Sequence, residues 1–238
     1  MALVTGGARN IGRAIAQSLA AAGAAVMVNA LHPSDGLAET VRTIEAEGGR
    51  VASFVGDVTD PGAVSRMIAA TIERFGRLDA LVNNAALRIE QSFDAIAFDE
   101  WRRIVGVVLD GAFLCSQAAL PHLKRSGSGA IVNIGGETGH TGAARRAHVV
   151  TAKAGLAGFT KALALDVATD NITVNCVVPG RIATVRESGE PSHRRGPPPV
   201  GRYGMPQDVA TVVRMLVGPG ARYVTGQSIH VNGGGYLP

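Results

Sequence analysis

Along the chain, short aliphatic runs alternate with longer stretches whose apolar positions recur every three or four residues. The runs at 2–5, 25–29, 51–55, 78–82, 130–134, 172–178 and 227–231 have the length and β-branched content of buried strands. The stretches at 11–22, 35–47, 61–75, 98–124, 147–168 and 206–216 have helical spacing. Local punctuation agrees with this division. Gly23 and the pair Gly48-Gly49 stop two helices, and Asp60 caps a third that carries Pro61 in its first turn. Strands alternating with helices predict βαβ units. The expected fold class is therefore α/β, with a doubly wound parallel seven-stranded sheet, helices on both faces, and one domain over residues 1–238. The segment 181–204, rich in Arg, Gly and Pro and including Pro197-Pro198-Pro199, suits no regular element, and its length points to a mobile substrate-binding loop.

Composition narrows the picture. The chain has 31 glycines in 238 residues, an excess that suits many tight strand-to-helix turns. Its formal charge of +4 comes with basic residues that are dispersed, apart from Arg145-Arg146 and Arg194-Arg195. That charge fits attraction to anionic small molecules better than nucleic acid, and aromatics for base stacking are few. Cys115 and Cys176 lie in apolar runs and read as buried free thiols, which argues for a cytoplasmic protein without a disulfide framework. No secretory signal precedes the first run, the apolar stretch 14–31 is broken by Gln17, Gly23 and Asn29, and neither a membrane span nor a metal site is expected.

The chemistry begins between the first strand and the first helix. Thr5-Gly6-Gly7-Ala8-Arg9-Asn10-Ile11-Gly12 is a glycine-rich turn that opens an amphipathic helix. Such a turn lets backbone N–H groups and a helix N-terminus meet a pyrophosphate. Residues 5–12 resemble the TGxxxGxG turn of the short-chain dehydrogenase/reductases, with Asn10 replacing a glycine. Gly56-Asp57-Val58, Asn83-Asn84-Ala85-Ala86, Pro179-Gly180 with Thr184, and 226–234 resemble further motifs of that family, of the kind similar to 3-oxoacyl carrier-protein reductases. The resemblance spans essentially the whole chain and implies a single Rossmann domain. It implies cofactor contacts at Gly6, Arg9, Asn10, Ile11 and Gly12, at Asp57 and Val58 beside the adenine, at Asn84 and Ala85, at Lys153, and at Pro179, Gly180 and Thr184 around the carboxamide.

The end of the second strand bears on which nicotinamide cofactor binds. In Val26-Met27-Val28-Asn29-Ala30-Leu31-His32 no acid stands where a carboxylate would bind the ribose hydroxyl of NAD, and Arg9 lies in the turn nearby. The pattern favours NADP(H) over NAD(H).

The family's usual mechanism implies a Tyr and Lys at i and i+4 of a helix, a Ser upstream and an Asn in the preceding long helix. Ala152-Lys153-Ala154-Gly155 matches the lysine. The Tyr position is then Val149, the Ser position Gly136 and the Asn position Val108, none of which is itself able to give up a proton. His148 is a candidate substitute by its chemistry, although it sits about 100° round the helix from Val149, and a helix N-terminal or interface role is equally open. Glu137, Thr138, His140, Arg145 and Arg146 complete the unusual cluster.

Three readings stay open. The first is an NADP(H)-binding oxidoreductase of a small carbonyl or alcohol substrate with a non-standard proton donor. The second is a lyase or isomerase on the same scaffold, and the third a catalytically inactive NADP-binding protein. The resemblance also implies a homotetramer or homodimer, joined through 98–124 and 147–168 and through the C-terminal segment.

Overall fold

The computed structural model describes residues 1–185 and 196–238. Seven parallel strands form one sheet: β1 (Ala2–Val4), β2 (Val26–Ala30), β3 (Val51–Val55), β4 (Ala80–Asn83), β5 (Ala130–Ile134), β6 (Thr173–Pro179) and β7 (Ser228–Val231). Their order across the sheet is β3-β2-β1-β4-β5-β6-β7. The winding reverses between β1 and β4, so the crevice for a ligand opens there, beyond the strands' carboxyl ends.

The period-two geometry of strands divides the core. Ala2 and Val4 of β1 face one side with Val26, Val28, Val82 and Val177, packed under α1 (Asn10–Ala21), α2 (Asp35–Ala46) and α8 (Pro206–Val217). Leu3, Met27, Leu81, Ile131 and Val174 face the other side, under α3 (Pro61–Phe75), α5 (Gly111–Ser126) and α7 (Ala147–Val167), the last preceded by the single turn α6 (Thr138–Thr141). This is the doubly wound arrangement that the apolar pattern predicts.

Local signals place the helix ends. The Asp60 carboxylate accepts from the Gly62 amide at 2.8 Å and starts α3 behind Pro61, while Gly76 at φ +78° stops it. Ser34 caps α2 by accepting from the Leu37 amide at 3.2 Å.

The stretch expected as one helix over 98–124 departs from that reading. It is α4 (Phe98–Val105), a π turn at Gly106–Asp110 and then α5. At Gly111, which follows the π turn, a β carbon would stand 2.8 Å from Val58 Cγ2, and its absence lets the start of α5 press on the loop after β3. By length and composition alone Phe98–Ser126 could cross a membrane. Here Cys115, Ala119 and Leu123 are buried against the sheet.

Of the expected loop at 181–204, residues 186–195 lie outside the described residues. Its described base is tied down. The Ala183 amide donates to Gly204 O at 2.7 Å, the Gly204 amide to Arg181 O at 3.0 Å, and the Val200 amide to Gly233 O at 3.1 Å.

Candidate active site

The glycine-rich turn between β1 and α1 is held in shape from the neighbouring strand. Thr5 Oγ1 accepts from the amides of Asn84 at 3.0 Å and Ala85 at 3.1 Å. The Asn84 side chain donates in return to Thr5 O and Gly6 O, both at 2.9 Å. Asn84 and Ala85 thus lock the turn across the switch point of the sheet. A β carbon on Gly12 would lie 2.3 Å from Gly6 O and 2.5 Å from Asn84 Nδ2, so no other residue fits that first helical turn. The backbone groups that the turn offers at the start of α1 suit a pyrophosphate.

Asn10 adopts φ +52°, a left-handed conformation that Asn tolerates better than most side chains. Its side chain also bridges the cleft, as Nδ2 donates to Val185 O at 2.9 Å and the Val185 amide donates to Oδ1 at 3.0 Å. Ile11 packs on the core, and Arg9 is exposed beside the turn.

At the end of β3, Asp57 Oδ1 accepts from the Thr59 amide and hydroxyl, both at 2.8 Å, which fixes the turn that buries Val58. Asn29 is buried and donates to Gly56 O at 2.9 Å, so it braces β2 against the end of β3. Ser34 spends its hydroxyl on the cap of α2.

At the other end of the cleft, Lys153 on α7 reaches under β5 and donates to Ile134 O at 2.6 Å. Desolvation lowers its ammonium from the ordinary lysine value to about 8, against a smaller opposing effect of Cys176. Burial in turn pushes the Cys176 thiol up to about 11. Gly136 stands over this lysine, where an added β carbon would meet only Lys153 Cγ at 3.7 Å and Cδ at 4.0 Å. Val149 is buried beside it on α7. Val108, in the π turn, is buried in an apolar cluster with Ala112, Ala152 and Leu156. Lys153, Gly136 and Val149 therefore share one corner, whose wall toward α5 is hydrocarbon.

His148 is fully buried and faces α4. Its Nε2 lies 3.2 Å from Glu100 Oε1, and its Nδ1 accepts from the Val149 amide at 2.9 Å. Both ring nitrogens are engaged there, and the residue ties α4 to α7. Arg146 pairs with Glu90, and the Gln91 amide donates to Arg145 O at 2.8 Å, so this pair joins the loop after β4 to the start of α7.

Behind the site runs a buried polar chain that the Asn83-Asn84 motif does not by itself disclose. Asn83 Nδ2 donates to Asn133 Oδ1 at 2.9 Å and to Ser116 Oγ at 3.1 Å. Asn133 Nδ2 donates to Thr160 Oγ1 at 2.9 Å, whose hydroxyl donates to Leu156 O at 2.8 Å. These bonds join β4, β5, α5 and α7 beneath the cleft. The signal available in the sequence was Asn133 inside one apolar run and Asn83 directly after another.

Glu137 is the other residue whose setting only the fold discloses. Its amide donates to Pro179 O at 2.9 Å, and its Oε2 is buried with no hydrogen-bond partner. A β carbon on Gly180 would lie 2.9 Å from that oxygen, and one on Gly235 2.8 Å. Gly180 thus admits the Glu137 carboxylate, and Pro179 fixes its backbone.

A family model described as Enoyl-(Acyl carrier protein) reductase matches residues 6–235. The 3-oxoacyl-(acyl-carrier-protein) reductase of Synechocystis sp. is 37% identical over 236 residues, 98% of this chain and 96% of the relative. The corresponding reductase of Staphylococcus aureus strain Mu50 is 37% identical over 240 residues, 99% of this chain and 98% of the relative. A short chain dehydrogenase from Burkholderia cenocepacia J2315, solved in complex with NADP, superposes with a TM-score of 0.91 at 35% identity, covering 98% of this chain and 96% of its own. A dehydrogenase/reductase from Sinorhizobium meliloti 1021 superposes with a TM-score of 0.92 at 34% identity, covering 99% and 94%. With the glycine turn locked to Asn84, Lys153 set under β5 and relatives matching over nearly their whole length, the chain belongs to the short-chain dehydrogenase/reductase family.

Proposed function

We propose that the protein is an NADP(H)-binding oxidoreductase acting on a carbonyl or alcohol substrate, with proton handling rearranged relative to its family. One observation carries this reading. The cofactor cradle and Lys153 are both in place, while Val149, Gly136 and Val108 hold no group that can donate a proton. A bound nicotinamide would supply the hydride.

The chain's own residues would hold that group as follows. Gly6, Arg9, Asn10, Ile11 and Gly12 would receive the pyrophosphate, with Asp57 and Val58 beside the adenine. Asn84 and Ala85 would support the middle of the cleft, and Lys153 would take the ribose. Pro179, Gly180 and Thr184 would flank the carboxamide. NADP(H) is favoured because Ala30, Leu31 and His32 supply no carboxylate at the end of β2, and Arg9 is exposed nearby. The NADP complex of the Burkholderia relative supports the same choice. Titrating the protein with NADPH and NADH by fluorescence tests it: NADPH should bind more tightly, and tighter NADH would overturn the preference.

The burial of Val108 against Ala152 and Leu156 favours a second reading, a protein that holds NADP(H) without turnover. A homotetramer or homodimer is part of the proposal. Phe113 on α5 and Leu165 on α7 are 47% and 82% exposed, on the two helices through which the family resemblance implies assembly. The segment 181–204 is proposed as the substrate-binding loop, in view of its tied base beside β6 and β7.

A further inference from the structure

Three features converge on one corner of the cleft. The first is what these positions lack: Gly136 and Val149 beside Lys153, and Val108 in the apolar cluster with Ala152, carry no hydroxyl that could protonate a carbonyl oxygen. The second is Glu137, the residue after Gly136. Its Oε2 is buried at the end of β6 and carries no hydrogen bond, a costly arrangement unless something cationic or protic meets it. The third is a group of rings at the same end of the sheet. The His140 and His230 rings meet edge-on with centroids 4.7 Å apart, and the Tyr236 ring lies 5.3 Å from His230. His230 Nδ1 is a second buried polar atom without a partner. Burial, then the proximity of His140, lowers the His230 pKa from the usual imidazole range. A buried carboxylate oxygen next to Gly235, with the Tyr236 ring on the following residue, is an arrangement that suits a cation. Of the basic groups in this corner, Arg146 is paired with Glu90, and the Lys153 ammonium is turned to Ile134 O, to which it donates at 2.6 Å.

We propose that the hydride acceptor is a cationic imine, with the Glu137 carboxylate as its counter-ion and the His230 and Tyr236 rings beside it. This rests on the NADP(H) reading and extends its acceptor from C=O to C=N⁺. The chemistry explains the missing proton donor. The iminium carbon gains a hydride, two electrons and one hydrogen, from reduced nicotinamide. The C=N π pair moves onto nitrogen and cancels its charge. The products are a neutral amine and oxidised nicotinamide, and no proton is transferred. A ketone given the same hydride becomes an alkoxide and needs the acid that Val149 cannot provide.

The test uses the full-length protein with two rings of the same shape, N-methyl-3,4-dihydroisoquinolinium, permanently cationic, and neutral 1-tetralone. With NADP⁺ present and no turnover, calorimetry should find the cation bound at least about tenfold more tightly than the ketone. With NADPH, the cation should be reduced and the ketone should not. Glu137→Gln should weaken cation binding and lower kcat/KM for the iminium by about thirtyfold or more, as when one partner of a buried charge pair is lost. NADPH binding by that variant, read by fluorescence, should stay unchanged. Equal binding of the two rings by the wild type, preferential reduction of 1-tetralone, or an unaffected Glu137→Gln would overturn the assignment while leaving the cofactor reading intact. Failure of the wild type to bind NADPH would overturn both. The wild-type comparison stands even if the variant does not fold.

Discussion

Asn10 and Val185 hold each other through two hydrogen bonds, side-chain amide to backbone carbonyl at 2.9 Å and backbone amide to side-chain carbonyl at 3.0 Å, although 175 residues separate them. The pair imitates one rung of a parallel sheet and fastens the segment after β6 to the phosphate-binding turn. Asn10→Gly keeps the left-handed backbone and removes both bonds. Two exposed neutral bonds are together worth about 1–2 kcal/mol. The variant should therefore fold normally and bind NADPH up to about tenfold more weakly, with the loss in the dissociation rate, as read by stopped-flow fluorescence. An unchanged dissociation rate would show that the bridge does not organise the cofactor cleft.

Lys153 is stabilised as the neutral amine by its surroundings, so it costs folding energy while it is charged. Between about 8 and its ordinary value the unfolded chain binds the proton and the folded chain does not, so this contribution to stability rises with pH across that window. Below about 8 the cost is fully present, on the order of 3 kcal/mol at most. Lys153→Met should therefore be more stable than the wild type at pH 7, and the gap should shrink as pH is raised toward 10. Chemical denaturation at several pH values would show this, and a gap that widens with pH would refute it. The same variant should lose NADPH affinity if the lysine takes the ribose.

Gly136 can accept a side chain, because its nearest new contact would be an ordinary 3.7 Å to Lys153 Cγ. Val108→Asn, Gly136→Ser and Val149→Tyr together restore the hydroxyl, phenol and amide that the family resemblance implies. The triple variant should gain reduction of 1-tetralone by about a hundredfold or more over the wild type, the scale of a general acid. NADPH absorbance measures it. A folded triple variant that binds NADPH but reduces nothing would show that the pocket itself has diverged, as in the second reading.

Asn133 links Asn83 to Thr160 in the chain beneath the cleft. Asn133→Ala would strand the amide of one and weaken the fixed geometry of the other, at a cost of about 2–4 kcal/mol. Urea denaturation should show that loss, with NADPH affinity falling in parallel because β4 carries Asn84.

Leu165→Glu on α7 would bring a charge to a side chain that is 82% exposed in the single chain. If assembly runs through α5 and α7, light scattering should register a smaller particle for the variant than for the wild type. A wild-type monomer would end the assembly proposal.

How much of this was legible in the sequence differs from place to place. The sheet and its two layers follow from the alternation within runs such as Ala2-Leu3-Val4, whose neighbours face opposite cores. The cofactor cradle follows from glycines whose missing side chains are mandatory, as Gly12 against Gly6 O illustrates. His148 was readable as a titratable group but not as one held by Glu100, because that contact joins two helices 48 residues apart. The Glu137 carboxylate was legible only as a polar loop residue. Its isolation depends on Pro179-Gly180 and Gly235, which the chain brings to Glu137 from two distant places. The π turn was read through as one helix, since the chain stays helical across it and a glycine such as Gly106 or Gly111 is tolerated within a helical pattern.

That π turn at Gly106–Asp110 sets the angular phase between two helices which the sequence runs together. The residue it adds swings everything before it by about 100° relative to everything after it. Glu100 meets His148 and Ser116 meets Asn83 only because both phases are correct at once. Deleting Leu109 would make one regular helix of α4 and α5, and would carry Glu100 out of reach of His148 without altering either residue. The register of a single turn, rather than any side chain within it, is what aligns the outer helix with the floor of the cleft.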